Sequence, residues 1–146
     1  MPDVLKVKLL RKGASLPVRA TEQASGLDIH ACPEGGADIE LGPDVTLVPT
    51  GIAIEAPPGF DVQVRPRSGL GRQGVNVVFG TIDADYRGEV LVSMYTFGSR
   101  AAYTIHNGDR IAQLVISKLA TVDVQAVAEL SPTRREAGGH GSTGRQ

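Results

Sequence analysis

The sequence predicts an all-β fold, a sandwich or barrel of jelly-roll type, on three observations. Apolar and polar residues alternate with a period of two along much of the chain. Turn-forming clusters separate these runs at short intervals. No segment sustains a helical period. Composition agrees, since Gly 18, Pro 9 and the absence of Trp suit short strands joined by tight turns.

The elements follow in order. Leu5, Val7 and Leu9 alternate with Lys6 and Lys8. Val45 and Leu47 alternate with Asp44 and Thr46, and Ile52 and Ile54 with Ala53 and Glu55. Phe60, Val62 and Val64 alternate with Asp61, Gln63 and Arg65. Val90, Val92 and Met94 keep period two, and Ile111 to Ile116 is nearly continuous, as in a strand buried on both faces. Val122, Val124 and Ala126 close the series as a last strand. Pro33-Glu34-Gly35-Gly36, Gly42-Pro43-Asp44, Ala56-Pro57-Pro58-Gly59 and Asn107-Gly108-Asp109 are turn signals. Ser68 to Gln73 admits one short helical turn.

With 146 residues the chain is expected to form one domain with a real core. We divide it into a β core, 1–130, and a Gly-rich arm, 131–146. The arm holds three arginines, one carboxylate and no large apolar side chain, so it cannot bury enough surface to order itself. Lys+Arg 15 against Asp+Glu 16 gives a net charge of -1, which argues against nucleic acid or an acidic membrane as partner. The single cysteine, Cys32, rules out an internal disulfide and reads as a small buried apolar group. The first residues contain no apolar signal segment, and no run approaches the roughly 20 residues of a membrane span, so the cytoplasm is the expected location.

Five polar clusters interrupt the apolar pattern. Gly80 to Glu89 joins the apolar stretches Val75–Phe79 and Val90–Tyr95, giving a hairpin whose tip carries Asp83, Asp85, Tyr86 and Arg87. A plain turn would need only Gly, Asn or Ser. Arg65-Pro66-Arg67-Ser68-Gly69-Leu70 offers a forked cation and Ser68 as N-cap, with free N–H groups beyond it suited to phosphate oxygens. Gln113, inside an apolar run, is either a satisfied core amide or a donor aimed at a ligand. Ala24 to His30 is a turn of small residues leading to Asp28. The arm is the fifth cluster. Walker A, zinc and serine-nucleophile patterns are absent. The clusters together suggest metal-assisted chemistry on a polyphosphate.

With these residues in view, the chain resembles the trimeric deoxyuridine triphosphate nucleotidohydrolases, the dUTPases. The five family motifs occur in order from Ala24 to Gly144. The resemblance implies a jelly-roll or β-clip subunit, a homotrimer with active sites between subunits, and an arm that closes over a neighbour's site. It implies hydrolysis of dUTP to dUMP and pyrophosphate, by in-line attack of water on the α-phosphorus with Mg²⁺ chelating the triphosphate. Such an activity limits uracil in DNA and supplies dUMP for thymidylate synthesis.

Residue by residue, the resemblance makes Asp83 the general base, a role in which an ordinary Asp is already ionised at neutral pH. Asp28 holds Mg²⁺ through its water shell. Arg67, Ser68, Gly69 and Gln113 bind phosphate oxygens, and Arg135, Ser142 and Thr143 add donors from the arm. Tyr86 packs on the deoxyribose and excludes a 2′-hydroxyl. The backbone around Gly80, Thr81, Ile82 and Leu91 pairs with uracil. Asp85 reads as structural, paired with Arg87. The chain departs from the family pattern at His140, where Phe is common, at Glu136, often Gly, and at Val77 or Phe79, where many bacterial members place Asn. A dCTP deaminase relative, a dUTPase-like regulatory binding protein and a structural β-trimer are the competing readings. The Ile82 to Tyr86 hairpin and the complete arm argue against the deaminase, the intact Asp83, Arg67, Gln113 and Arg135 against a non-catalytic binding protein, and the Gly-rich arm against a purely structural trimer.

Overall fold

The computed structural model describes residues 3–139 and Gly141. Eleven strands build it: β1 Lys6–Leu9, β2 Gly26–His30, β3 Ile39–Leu41, β4 Thr46–Pro49, β5 Ile52–Glu55, β6 Phe60–Arg65, β7 Val75–Val77, β8 Gly80–Ile82, β9 Leu91–Thr96, β10 Tyr103–Ile105 and β11 Arg110–Lys118. The only α-helix among the described residues is α1, Ser68–Arg72. The fold is therefore all-β, as the alternation predicts.

Every pairing is antiparallel. A four-stranded sheet runs β2-β11-β6-β8 and a three-stranded sheet runs β4-β9-β7. Two ribbons, β1-β5 and β10-β3, complete the assembly. The inward residues of these strands meet in one core that includes Ile29, Leu41, Ile52, Val64, Val92, Met94, Ile111 and Leu114. Period two makes this possible, because it puts every second side chain of a strand on the core face. At about 25 cal/mol per Å² of apolar area removed from water, this shared core is the main source of stability.

β11 is the central strand, with β2 on one side and β6 on the other. A register shift between Arg110 and Ala112 sends both Ile111 and Ala112 into the core. Beyond it the strand alternates, and Gln113 and Val115 are only half-buried. The expectation of burial on both faces is thus corrected. One face of the sheet is polar, and it is this face that Gln113 shares with Asp28 and Arg65, its partners in register.

Three further expectations need correction. The predicted last strand does not form. Residues 119–130 carry no strand and are exposed, with Val124 97% and Leu130 87% accessible. Alternation at Val122, Val124 and Ala126 has no neighbouring strand among the described residues to pair with. Ala24 to His30 is not merely a turn, since Gly26–His30 is a strand on the edge of the main sheet. Ser68 is the first residue of α1 and not its N-cap. Arg67 occupies the cap position and makes no side-chain capping bond.

Candidate active site

The hairpin forms at its base and then forks. β7 pairs with β9 in the register Val75↔Thr96, Asn76↔Tyr95, Val77↔Met94, and Val78 N–H donates to Ser93 O at 2.9 Å. Past Phe79 the chain leaves β9. β8 joins the other sheet, pairing with β6 through Val64↔Gly80 and Val62↔Ile82. The fork leaves a cavity of ≈ 240 Å³ lined by Val64, Gly80, Thr81, Ile82, Asp83, Tyr86, Glu89, Val90 and Leu91. Six of the predicted residues (Gly80, Thr81, Ile82, Asp83, Tyr86 and Leu91) thus share one wall system. β8 is an edge strand, so its second row of backbone donors and acceptors has no strand partner among the described residues.

Asp83 and Tyr86 sit at the rim of this cavity, both exposed. Tyr86 N–H donates to Asp83 O at 3.0 Å, closing a turn. The Tyr86 hydroxyl donates to Glu89 O at 2.9 Å. The ring lies over Gly88, where a Cβ would come within 2.4 Å of the hydroxyl oxygen. Arg87 does not pair with Asp85. Its Nε meets the Glu55 carboxylate at 3.5 Å and its Nη1 donates to Ala84 O at 2.7 Å. Glu55, at the end of β5, is reachable because β5 runs beside the hairpin exit, where Val90 N–H donates to Ile52 O.

A second group forms on the polar face of the main sheet. Asp28 is nearly buried on β2. Its Oδ1 accepts from Arg67 Nε at 3.2 Å and its Oδ2 from Arg110 Nη1 at 3.5 Å. Arg67 Nη1 also donates to Arg110 O at 3.3 Å. Gln113 Nε2 donates to Pro66 O at 2.9 Å, locking the turn that carries Arg67, Ser68 and Gly69. Gly26 makes this possible, since a Cβ there would fall 2.1 Å from Gln113 Oε1. Ser68 and Gly69 are exposed at the start of α1, where first-turn N–H groups have no intrahelical acceptor. Arg67, Gly69 and Arg110 line a cleft of ≈ 490 Å³ with Gln73, Tyr103, His106 and Asp109. None of the hairpin residues lines it.

His30 lies beside the same group. Burial, then the nearby Arg110 charge, lowers its pKa from the ordinary 6.5, and its Nδ1 is buried without a hydrogen-bond partner among the described residues. Arg110 and His30 were not expected in the site, although Arg110 stands three residues before Gln113 in the motif that flagged it. The signal missed was charge balance: a buried Asp28 needs a cationic partner.

Both Asp28 oxygens are engaged by guanidinium groups. Among the described residues, no group of three or more His, Cys, Asp or Glu side chains could hold a metal ion. Asp28, already held by two guanidiniums, would meet a divalent ion through the ion's water shell beside a bound ligand.

The arm is described as far as Gly139, and at Gly141. Arg135 is exposed, and its Nε donates to Gly138 O within the arm. It is not joined there to the Arg67 group. Glu136 has φ 50°, in the left-handed region that Gly adopts most easily, consistent with its standing where Gly is common. Thr133 N–H donates to the Glu136 carboxylate at 2.6 Å and Glu136 N–H donates to Thr133 Oγ1 at 3.0 Å, which offsets the strain. His140, Ser142 and Thr143 lie outside the described residues. Val77 is buried and Phe79 is 69% exposed, so neither offers a polar group to the cavity. Cys32 is buried and free.

Among known proteins, the dUTPase family model matches residues 12–144. The chain is 52% identical over 133 residues to the deoxyuridine 5'-triphosphate nucleotidohydrolase of Desulfotalea psychrophila, covering 89% of this chain and 87% of that protein. It is 46% identical over 143 residues to the enzyme of the same name from Syntrophotalea carbinolica, covering 96% of each. The fold matches a Staphylococcus bacteriophage 80alpha dUTPase solved with dUpNHpp, with TM-score 0.85 and 27% identity over 97% of this chain and 98% of that one. The chain belongs to the dUTPase family.

Proposed function

We propose that the chain hydrolyses dUTP, as its Mg²⁺ complex, to dUMP and pyrophosphate. The observation that carries this reading is the forked hairpin, which puts Asp83, Tyr86 and a free strand edge around one cavity. At ≈ 240 Å³ the cavity is smaller than the roughly 300–1,000 Å³ of a drug-sized ligand site. It suits a nucleoside, leaving the triphosphate to extend outward. Backbone groups of Gly80 to Ile82 and of Leu91 would pair with the uracil edge. Cytosine reverses that donor pattern and would leave buried polar groups unpaired. The Tyr86 ring would stand against C2′ and reject a 2′-hydroxyl by shape.

Asp83 is the proposed base. It would orient a water and take its proton as the oxygen attacks the α-phosphorus in line, with pyrophosphate leaving. Arg67, Ser68, Gly69 and Gln113 would hold phosphate oxygens, with Arg110 as an added cation. Arg135, Ser142 and Thr143 would complete the phosphate shell from the arm, and His140 would stack on uracil in place of Phe. Bound Mg²⁺ would neutralise phosphate charge. Asp28 would reach its water shell once the longer Arg110 contact opens.

We further propose a homotrimer in which one copy's hairpin meets another's Arg67 cleft. The separate linings of the two clefts support this, as do Val122, Val124 and Leu130, left exposed in the single chain. Cytoplasmic activity would keep uracil out of DNA and supply dUMP. The test is pyrophosphate release from dUTP, dCTP, dTTP and UTP with Mg²⁺, by the full chain and by a chain ending at Leu130. Release from dUTP alone, lost on truncation, is the expected result. No release from dUTP by the full chain overturns the reading.

A further inference from the structure

The exit of the hairpin is pinned from behind by residues outside all five motif clusters. Arg11, just after β1, points its guanidinium at Glu89. Nη2 donates to Glu89 Oε2 at 2.6 Å and Nη1 to Oε1 at 3.2 Å. The same guanidinium donates to Cys32 O from Nε at 3.0 Å and from Nη2 at 2.6 Å. Glu89 Oε2 also accepts from Gly51 N–H at 2.9 Å. The pair is largely sheltered, with side chains 20% and 24% accessible. The hydrogen bond from Arg11 draws the Glu89 pKa below its ordinary value.

Glu89 has a second connection. Its backbone carbonyl accepts the Tyr86 hydroxyl. The next residue is fixed too, since Thr50 Oγ1 donates to Val90 O at 2.6 Å. The Tyr86 ring therefore hangs on a carbonyl whose own residue is bolted to Arg11 and Gly51. A surface hairpin needs no such anchor to fold. A wall that must reject one extra oxygen does, because a ring free to swing would open the missing space.

We propose that Arg11 and Glu89 are positioning residues for sugar selectivity: the bidentate ion pair fixes the Glu89 carbonyl, and that carbonyl fixes the Tyr86 ring against C2′. The proposal rests on the dUTPase reading above. Glu89 lines the cavity, but its carboxylate is taken up by Arg11 and Gly51, so its effect would pass through the Tyr86 ring. Arg11→Lys should reproduce much of the defect of Glu89→Gln, because an ammonium cannot hold the carboxylate and Cys32 O in the same fork.

The test uses the full chain and two readouts. Without nucleotide, amide hydrogen exchange is followed over residues 86–90 in the parent and in Glu89→Gln. With substrate, the ratio of kcat/KM for dUTP to that for UTP is measured in the parent, Glu89→Gln, Tyr86→Phe and the double variant. We expect faster exchange at Gly88 to Val90 in Glu89→Gln. The selectivity ratio should fall about tenfold, roughly what loss of one buried hydrogen bond to a charged group allows. Tyr86→Phe should show a similar fall, and the double variant no more than either single one, because both cut the same tether. Unchanged exchange, an unchanged ratio, or additive losses overturn the proposal. Absence of dUTP turnover by the parent instead overturns the function on which it rests, while the exchange data still read the tether directly.

Discussion

The Asp28 carboxylate, on the main sheet, and the Asp83 carboxylate, just past that sheet's edge strand, live in opposite surroundings. Asp28, on β2, gives one oxygen to Arg67 and the other to Arg110 and is nearly buried. Asp83, the residue after β8, is exposed and forms no ion pair among the described residues. The first is a fixed strut, whose charge is cancelled so that two guanidiniums can be held in place. The second is an open acceptor. The two surroundings suit the two proposed roles: an open carboxylate is free to accept a proton, and one set between two guanidiniums holds them in place.

The largest effect should come from the open carboxylate. Asp83→Asn keeps the shape and removes the proton acceptor, so kcat for dUTP should fall by about a hundredfold to ten-thousandfold. Binding of a non-hydrolysable analogue such as dUpNHpp, followed by calorimetry, should stay within a few-fold. A fall in both together would mean that Asp83 acts in binding instead.

Asp28→Asn should do the reverse. It releases Arg67 and Arg110, so KM for dUTP should rise about tenfold while kcat changes less. Steady-state kinetics at saturating Mg²⁺ separate the two parameters. A smaller loss is expected from Gly26→Ala. The new Cβ must displace the Gln113 amide and break its bond to Pro66 O. Overpacking of this kind costs about 1–3 kcal/mol, readable as a lower unfolding midpoint.

The smallest effect concerns pH and belongs to the hairpin's anchor. Glu89 has a folded pKa below its ordinary 4.5, mainly through the Arg11 hydrogen bond. Its stabilisation is therefore complete above pH 4.5 and is lost as pH falls through the folded value. Thermal unfolding of the parent and of Glu89→Gln should differ most near neutrality and converge in acid. A difference that grows below pH 4.5 would reverse the sign and remove the ion pair from the account.

The same contrast explains what the sequence made legible. Period two exposed the strands around the core, because each inward residue pays its way by burial wherever the strand ends up. Asp83, Tyr86 and Gly80 were legible because they cluster within ten residues, beyond what a turn needs. Long-range pairing was not. Nothing in Val75–Phe79 announces that β8 will desert β9 for β6, yet that fork makes the cavity. Ile39–Leu41 and Tyr103–Ile105 are only three residues each, too short for a period to register. Gly26 looked like a turn residue, because the side chain that needs its space stands 87 positions later in the chain. Arg11 stands 78 residues from Glu89, and nothing in the sequence near it announces their pairing. Val122, Val124 and Ala126 show the converse, a pattern that was present without a strand to pair with.

The central claim is that the open half and the strut half meet across a subunit boundary. It is tested most directly by making two dead chains and combining them. One carries Asp83→Asn and the other Arg67→Ala, each with its own affinity tag, and co-expressed mixed assemblies are purified through both tags. A closed ring of three with one chain of a kind and two of the other has about one site in three that joins an intact hairpin to an intact Arg67 cleft. The account predicts that dUTP hydrolysis returns to about that fraction of the parent's rate. Mixed assemblies as inactive as either variant alone would place both halves of each site in a single chain and contradict it.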